Sequence, residues 1–213
     1  MSSNPFDRFI AELDKPWPGN REVRCVFHGH SVPAGYFQTP VIDTFNSYPH
    51  LFHRAWKAKH SNGFINVIVT AIGGENSVQG SARFERDVLR LDPDILFLDY
   101  ALNDRGIGLV KARESWTSMI LAAKESGVSL VLLTPTPDLG AKLGDPQEPL
   151  TQHSDQIKEL ARIHGLALVD CYGQFCRLQA EGHKLENYMS QGNHPNRAGH
   201  EVVAQLLLEQ IEP

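Results

Sequence analysis

Cysteine is scarce in this chain. There are three, an odd number, at positions 25, 171 and 176, with no framework spacing. That excludes a disulfide-stapled scaffold, and Cys25, Cys171 and Cys176 are expected to be reduced thiols. An excess of one charge is also lacking. Twenty Lys and Arg stand against 25 Asp and Glu, mixed along the chain, so no basic stripe asks for nucleic acid and no acidic tail asks for disorder. No apolar run approaches the roughly 18 residues of a membrane helix, and no membrane partner is expected. The opening MSSNPFDRFIAELDKPWPGN lacks a basic stretch followed by a long apolar core. It does not read as a secretory signal, and a cytoplasmic location is expected.

Apolar segments recur in an ordered way. EVRCVFHG (22–29), FINVIVTA (64–71), DILFLDYA (94–101), VSLVLLTP (128–135) and LALVD (166–170) are apolar almost without interruption, as in strands covered on both faces. Helical spacing falls between them. Ala112, Trp116, Met119, Ile120 and Ala123 share one face before Gly127; Ile157, Leu160, Ala161 and His164 share another before Gly165. A last helix is expected from about Asn196 to Ile211. Strand and helix alternate about five times, which predicts an α/β fold: a three-layer α/β/α sandwich on a parallel sheet of about five strands. The 213 residues suit a single domain with its core at about 22–208. The Pro- and Gly-rich stretch 134–149 reads as a mobile rim or lid, or as a plain solvated connector.

Ligands of open α/β sheets bind outside the carboxyl ends of the strands. Gly29-His30-Ser31 follows the first strand, AIGGENS (71–77) the second and ALNDRG (101–106) the third; QGNHPNRAGH (191–200) precedes the last helix. A serine hydroxyl needs a base within reach and a site for the oxyanion. Ser31 supplies the hydroxyl, and His194 a base whose ordinary pKa lies close to neutrality. Backbone N–H groups of Ser31 and Gly74, with the side-chain amide of Asn103, suit the oxyanion, since glycine lets a backbone N–H approach without a Cβ in the way. Taken singly these are a turn serine, a tight Gly-Gly turn, an N-cap pair and a helix start. Together, at one edge of one sheet, they form a candidate site.

The four blocks, Gly29-His30-Ser31, Gly73-Gly74, Ala101-Leu102-Asn103-Asp104 and Gln191-Gly192-Asn193-His194-Pro195, resemble those of the SGNH, or GDSL, hydrolase family across nearly the whole chain. The resemblance implies a flavodoxin-like sandwich and ester hydrolysis through an acyl-serine, without metal or cofactor. It implies Ser31 as nucleophile, His194 as base, and Ser31, Gly74 and Asn103 as the oxyanion hole, with Gly74 preferred over Gly73 because it precedes the acidic Glu75. Family members act on acetylated sugars, lipids, thioesters and aryl esters. Few aromatics and no long apolar insert favour a short acyl group such as acetyl, on a carbohydrate or small molecule. Tyr36, Phe37, Tyr100 and Arg105 adjoin the blocks as candidate pocket walls.

Three positions depart from the family pattern. His30 replaces the Asp of G-D-S; strand alternation puts it on the face of His28, away from Ser31, as a structural hydrogen-bonder. Ala101 replaces a glycine. Gln191 replaces the Asp that orients the histidine; its carbonyl oxygen can accept a hydrogen bond but brings no charge. A main-chain carbonyl, or an acid from elsewhere such as Asp104, Asp138 or Asp170, is an alternative partner. A Ser31–His194 dyad with reduced activity on simple esters is expected. The competing readings are a catalytically impaired pseudoenzyme that binds an acylated sugar, an anion-binding module built on AIGGENSVQG, and a metal site drawn from His28, His30, His50, His53 and His60. The anion motif matches neither phosphate-loop pattern, and the histidines lack metal-ligand spacing.

Overall fold

The computed structural model describes residues 4–213. Five strands, β1 (Glu22–Gly29), β2 (Phe64–Val69), β3 (Ile95–Asp99), β4 (Ser129–Leu133) and β5 (Ala167–Val169), pair in parallel in the order β2-β1-β3-β4-β5. Helices α1 (Asp7–Leu13), α2 (Tyr48–Lys59), α3 (Ser77–Ala82), α4 (Phe84–Asp87), α5 (Ala101–Asp104), α6 (Leu109–Glu125), α7 (Pro149–His164), α8 (Cys171–Ala180) and α9 (Arg197–Ile211) connect and flank them.

Alternation along each strand sends side chains to two cores. Cys25, Phe27, Ile95, Phe97, Val131 and Leu133 pack against α1, α2, α8 and α9. Val26, Leu96, Leu98, Leu130 and Leu132 pack against α4, α6 and α7. The sheet is thus covered on both faces, which is why its strands read as unbroken apolar runs. The α/β three-layer sandwich is as expected.

β1 runs over its expected range, while the other four strands stop short of theirs. Tyr100 and Ala101 leave β3 because the chain turns at once into α5. Beyond β2, Thr70 N–H and Ile72 N–H still donate to the carbonyls of Phe27 and Gly29, at 2.9 and 3.1 Å, as the ladder loosens. The faces of α6 and α7 are buried at Ala112, Trp116, Met119, Ile120 and Ala123, and at Ile157, Leu160 and Ala161. Strand order reverses between β1 and β3, the switch point outside whose carboxyl ends ligands of such sheets bind. No helix among the described residues is long and apolar enough to cross a membrane.

Candidate active site

β1 ends at Gly29 because nothing larger fits: a Cβ there would run into the Asp99 carbonyl oxygen of the neighbouring strand. The chain then folds back on itself, with Tyr36 N–H donating to the Ser31 carbonyl at 3.0 Å. This turn holds Ser31 just past the carboxyl end of β1, 6% exposed. The short hairpin β6 (Met189–Gln191) and β7 (His194–Pro195) brings the histidine from the far end of the sequence. Nε2 of His194 lies 2.9 Å from Ser31 Oγ.

The other ring nitrogen, Nδ1, lies 2.8 Å from the Phe37 carbonyl oxygen and 2.9 Å from Gln191 Nε2. A carbonyl only accepts, so Nδ1 carries its proton toward Phe37 and Nε2 keeps its lone pair toward Ser31. Gln191 turns its amide nitrogen to the ring because its Oε1 accepts from Thr39 N–H at 2.9 Å; an N–H donor facing Nδ1–H, it makes no hydrogen bond to the ring in this tautomer. It therefore straps down the loop that carries Phe37, while the acceptor for the ring is main chain. Burial lowers the His194 pKa first; the Phe37 hydrogen bond opposes this, and the neighbouring His30 adds to it.

The acids considered as substitutes are engaged elsewhere. Asp104 accepts from Ser77 N–H and Trp116 Nε1–H, both at 2.7 Å. Asp138 accepts from Arg105 at 2.7 Å and from Gly140 N–H at 2.9 Å. Asp170 caps α8 through Gly173 N–H at 3.0 Å and accepts from Thr134 Oγ1 at 2.9 Å.

Gly74 has φ +81° and open space where a Cβ would stand, a left-handed conformation that favours glycine. Gly73 lies beneath the Tyr36 ring, 2.8 Å from where its Cβ would be. The amide of Asn103, at the start of the chain beyond β3, donates to the Glu75 carbonyl at 2.8 Å. One N–H of that amide is left for another acceptor. Ser31 and His194 thus meet directly, and the Asn103 amide is joined to the residue after Gly74; the four come from separate segments of the chain.

The remaining candidates divide. Tyr36 is half-buried with its ring centroid 6.1 Å from that of His194, while the Phe37 ring turns to His200 at 5.0 Å. Tyr100 is not a pocket wall: it is fully buried, its hydroxyl 3.1 Å from His28 Nε2. Arg105 lines a cleft with Leu102, Asn103, Gly106, Glu148 and Pro149. His28 and His30 do not share partners. His28 bonds Thr70 Oγ1 and the Gly80 carbonyl, at 2.9 and 3.2 Å. His30 lies past the end of the strand, where the pleat no longer dictates direction. It accepts from Val32 N–H at 3.2 Å and sets Nε2 3.3 Å from Asp99 Oδ1. His50 and His53 lie on α2, and His60 sits between Asp14 and Glu212 at 2.8 and 3.1 Å. Among the described residues, no three His, Cys, Asp or Glu side chains converge as a metal site would need.

The 134–149 connector is neither free nor fully solvated. Thr134–Pro137 are buried, and Leu139 N–H donates to the Gly192 carbonyl at 2.7 Å, tying the connector to the His194 hairpin.

The family model of the GDSL-like lipase/acylhydrolase family matches residues 27–202, a span that includes every residue of this site. The chain belongs to the GDSL-like lipase/acylhydrolase family. It is accordingly an esterase, a carboxylic ester hydrolase. Among solved structures, a catalytic mutant of Axe2, an acetylxylan esterase from Geobacillus stearothermophilus, superposes with a TM-score of 0.79 at 20% identity, covering 90% of this chain and 94% of that one. Axe2 itself gives 0.76 at 20% identity over the same shares. A two-domain esterase, CEX, active on acetylated mannans, gives 0.75 at 18% identity; 97% of this chain covers 52% of that one. At these identities the likeness establishes the fold. No curated protein matches the sequence.

Two features of this GDSL-like site had no signal in the sequence. The Phe37 carbonyl is main chain, and any residue type would carry it. The engagement of Glu75 by Arg83, at 2.6 Å, joins residues eight apart that meet only because α3 intervenes.

Proposed function

We propose that the chain cleaves a short acyl ester, such as an acetyl ester on a carbohydrate or small molecule, through an acyl-serine. Ser31 Oγ attacks the ester carbonyl carbon as its proton passes to His194 Nε2. The negative charge that develops on the carbonyl oxygen is met by the N–H groups of Ser31 and Gly74 and by the Asn103 amide. The tetrahedral adduct collapses, the C–O bond to the alcohol breaks, and His194 returns the proton to the leaving oxygen. Water then attacks the acyl-serine with His194 again as base, releasing the carboxylic acid and restoring Ser31. The reading is carried by the 2.9 Å approach of Ser31 Oγ to a His194 nitrogen whose lone pair the Phe37 carbonyl leaves free.

A carbohydrate leaving group is supported by the cleft beside Asn103. Its Arg105 and Glu148 side chains offer donors and acceptors suited to hydroxyls rather than to an acyl chain. The acetylxylan and acetylated-mannan esterases of like fold point the same way.

The test is intact-protein mass after incubation with a fluorophosphonate serine probe. One adduct on the wild type and none on Ser31→Ala is the expected result, and a panel of acetylated sugars and aryl esters then grades the substrate. An unmodified wild type would overturn the hydrolytic reading in favour of a protein that binds an acylated sugar without cleaving it.

A further inference from the structure

Two of the three donors of the proposed oxyanion hole, Gly74 N–H and the Asn103 amide, adjoin Glu75. It follows Gly74 directly, and its carbonyl oxygen accepts from the Asn103 amide at 2.8 Å. Gly74 itself is exposed, with φ +81°, and no neighbour packs where its side chain would be. A Gly-Gly turn has wide backbone freedom, so its conformation must be fixed by what adjoins it. On one side Gly73 is pinned by the Tyr36 ring. On the other, the Glu75 carboxylate is gripped by Arg83, from Nε at 3.0 Å to each oxygen and from Nη2 at 2.6 Å. The two side chains are only 9% and 13% exposed, so this pair is screened far less than a surface pair.

Arg83 is held in turn. Its Nη1 reaches Asp87 at 3.4 Å and its Nη2 reaches the Tyr100 hydroxyl at 3.3 Å. That hydroxyl lies 3.1 Å from His28 Nε2. Burial and the Arg83 charge lower the His28 pKa to about 4, so His28 stays neutral and does not compete for Glu75. The guanidinium therefore couples the Gly74 turn to the ends of β1 and β3, where Ser31 and Asn103 originate.

We propose that Arg83, acting through Glu75, is a positioning residue that presents Gly74 N–H and the Asn103 amide to the developing oxyanion; this rests on the ester-hydrolysing reading above. The side-chain partners of Arg83 are Glu75, Asp87 and Tyr100, not Ser31 or His194. Its planar fork matches the carboxylate at more than one point, which a lysine cannot do.

The experiment measures kcat and KM of the full chain on p-nitrophenyl acetate, with thermal melts of each variant. Arg83→Gln is expected to lower kcat about 10- to 100-fold, less than the roughly 100- to 1000-fold that follows outright loss of an oxyanion donor. KM should stay within about twofold, and the acid limb of the pH profile should not move, because His194 is untouched. Arg83→Lys should recover part of the loss, and Glu75→Gln should reproduce most of it. Folded variants with wild-type kcat, a loss confined to KM, or a displaced acid limb would each overturn the proposal. Should Arg83→Gln fail to fold, Glu75→Gln decides by the same criteria. A wild type inert to both ester and fluorophosphonate would take down the hydrolytic reading and this one together; an active wild type with indifferent variants takes down this one alone.

Discussion

In the proposed mechanism His194 acts as base only if it is neutral before each proton transfer. Burial and the nearby His30 lower its pKa below the ordinary 6.5, against the smaller upward pull of the Phe37 carbonyl. A base with a lowered pKa loses activity only as pH falls through that lowered value. The profile of kcat/KM should therefore rise to a plateau with its midpoint below 6.5. A midpoint at 7 or above would contradict the site as described. Gln191→Asp sharpens the same test. A carboxylate near Nδ1 favours the imidazolium, so the acid limb should move to higher pH, measurable on any ester the protein turns over. The rate gain should be small, because the Phe37 carbonyl at 2.8 Å already sets the tautomer; an unmoved limb would mean that position 191 does not reach the ring. Ser31, Gly74, Asn103 and His194 could be picked out in the sequence because each proposed task admits few residue types, and the structure brings Ser31 Oγ and His194 Nε2 to 2.9 Å. The acceptor for Nδ1 could not be, because a main-chain oxygen leaves no mark on composition.

Elements place these residues, and their ends matter more than their middles. α9 begins three residues after His194 and is capped by Asn196, whose Oδ1 accepts from Gly199 N–H at 3.1 Å. The same side chain donates to the Asn187 carbonyl at 2.8 Å, fastening the start of the helix to the segment that leads into β6. Asn196→Ala should cost about 0.5–2 kcal/mol of stability, the span for loss of an N-cap. It should appear as a lower urea midpoint with an unchanged slope; an unchanged midpoint would show the cap to be idle. α6, α7 and α9 could be read from their spacing because each is long, regular and stopped or started by a recognisable residue. α2 was hidden. Its buried face is built from Tyr48, Pro49, Leu51, Phe52 and Trp56, interleaved with two histidines and led by a proline, which blurs the helical period. α1 and α8 have few turns in which a period can show. The carboxyl ends of β2 to β5 were overdrawn for the opposite reason: Tyr100, Ala101 and the Thr-Pro stretch stay apolar or buried after the strands stop, so hydropathy alone cannot see the turn.

At the scale of the whole molecule, the two cores enclose imidazoles as well as hydrocarbon. His28, His153 and His200 are buried, at 0%, 3% and 0% exposure. Burial lowers their pKa values to about 4, about 4 and about 3. Each is therefore neutral in the fold and protonated in the unfolded chain once pH falls below the ordinary 6.5. The unfolded state then binds more protons, so stability is full above about 6.5 and is lost as pH drops toward 4. Each histidine adds up to about 1.4 kcal/mol per pH unit to that slope, or about 4 kcal/mol for three. Asp104 pulls the other way, since burial raises its pKa above the ordinary 3.8 and the fold gains from its protonation. The histidine loss should still dominate between pH 6 and 5, because three imidazoles outweigh one carboxyl. Urea midpoints measured at pH 7, 6 and 5 should fall progressively. His153→Gln, which removes one of the three, should flatten the decline by about a third; His153 is the one to change because His28 and His200 both hold backbone groups, the Gly80 carbonyl and Tyr48 N–H. A midpoint that holds steady from pH 7 to 5 would mean that these imidazoles are not sealed in the fold, and that the layers around the sheet admit water where the packing says they are closed.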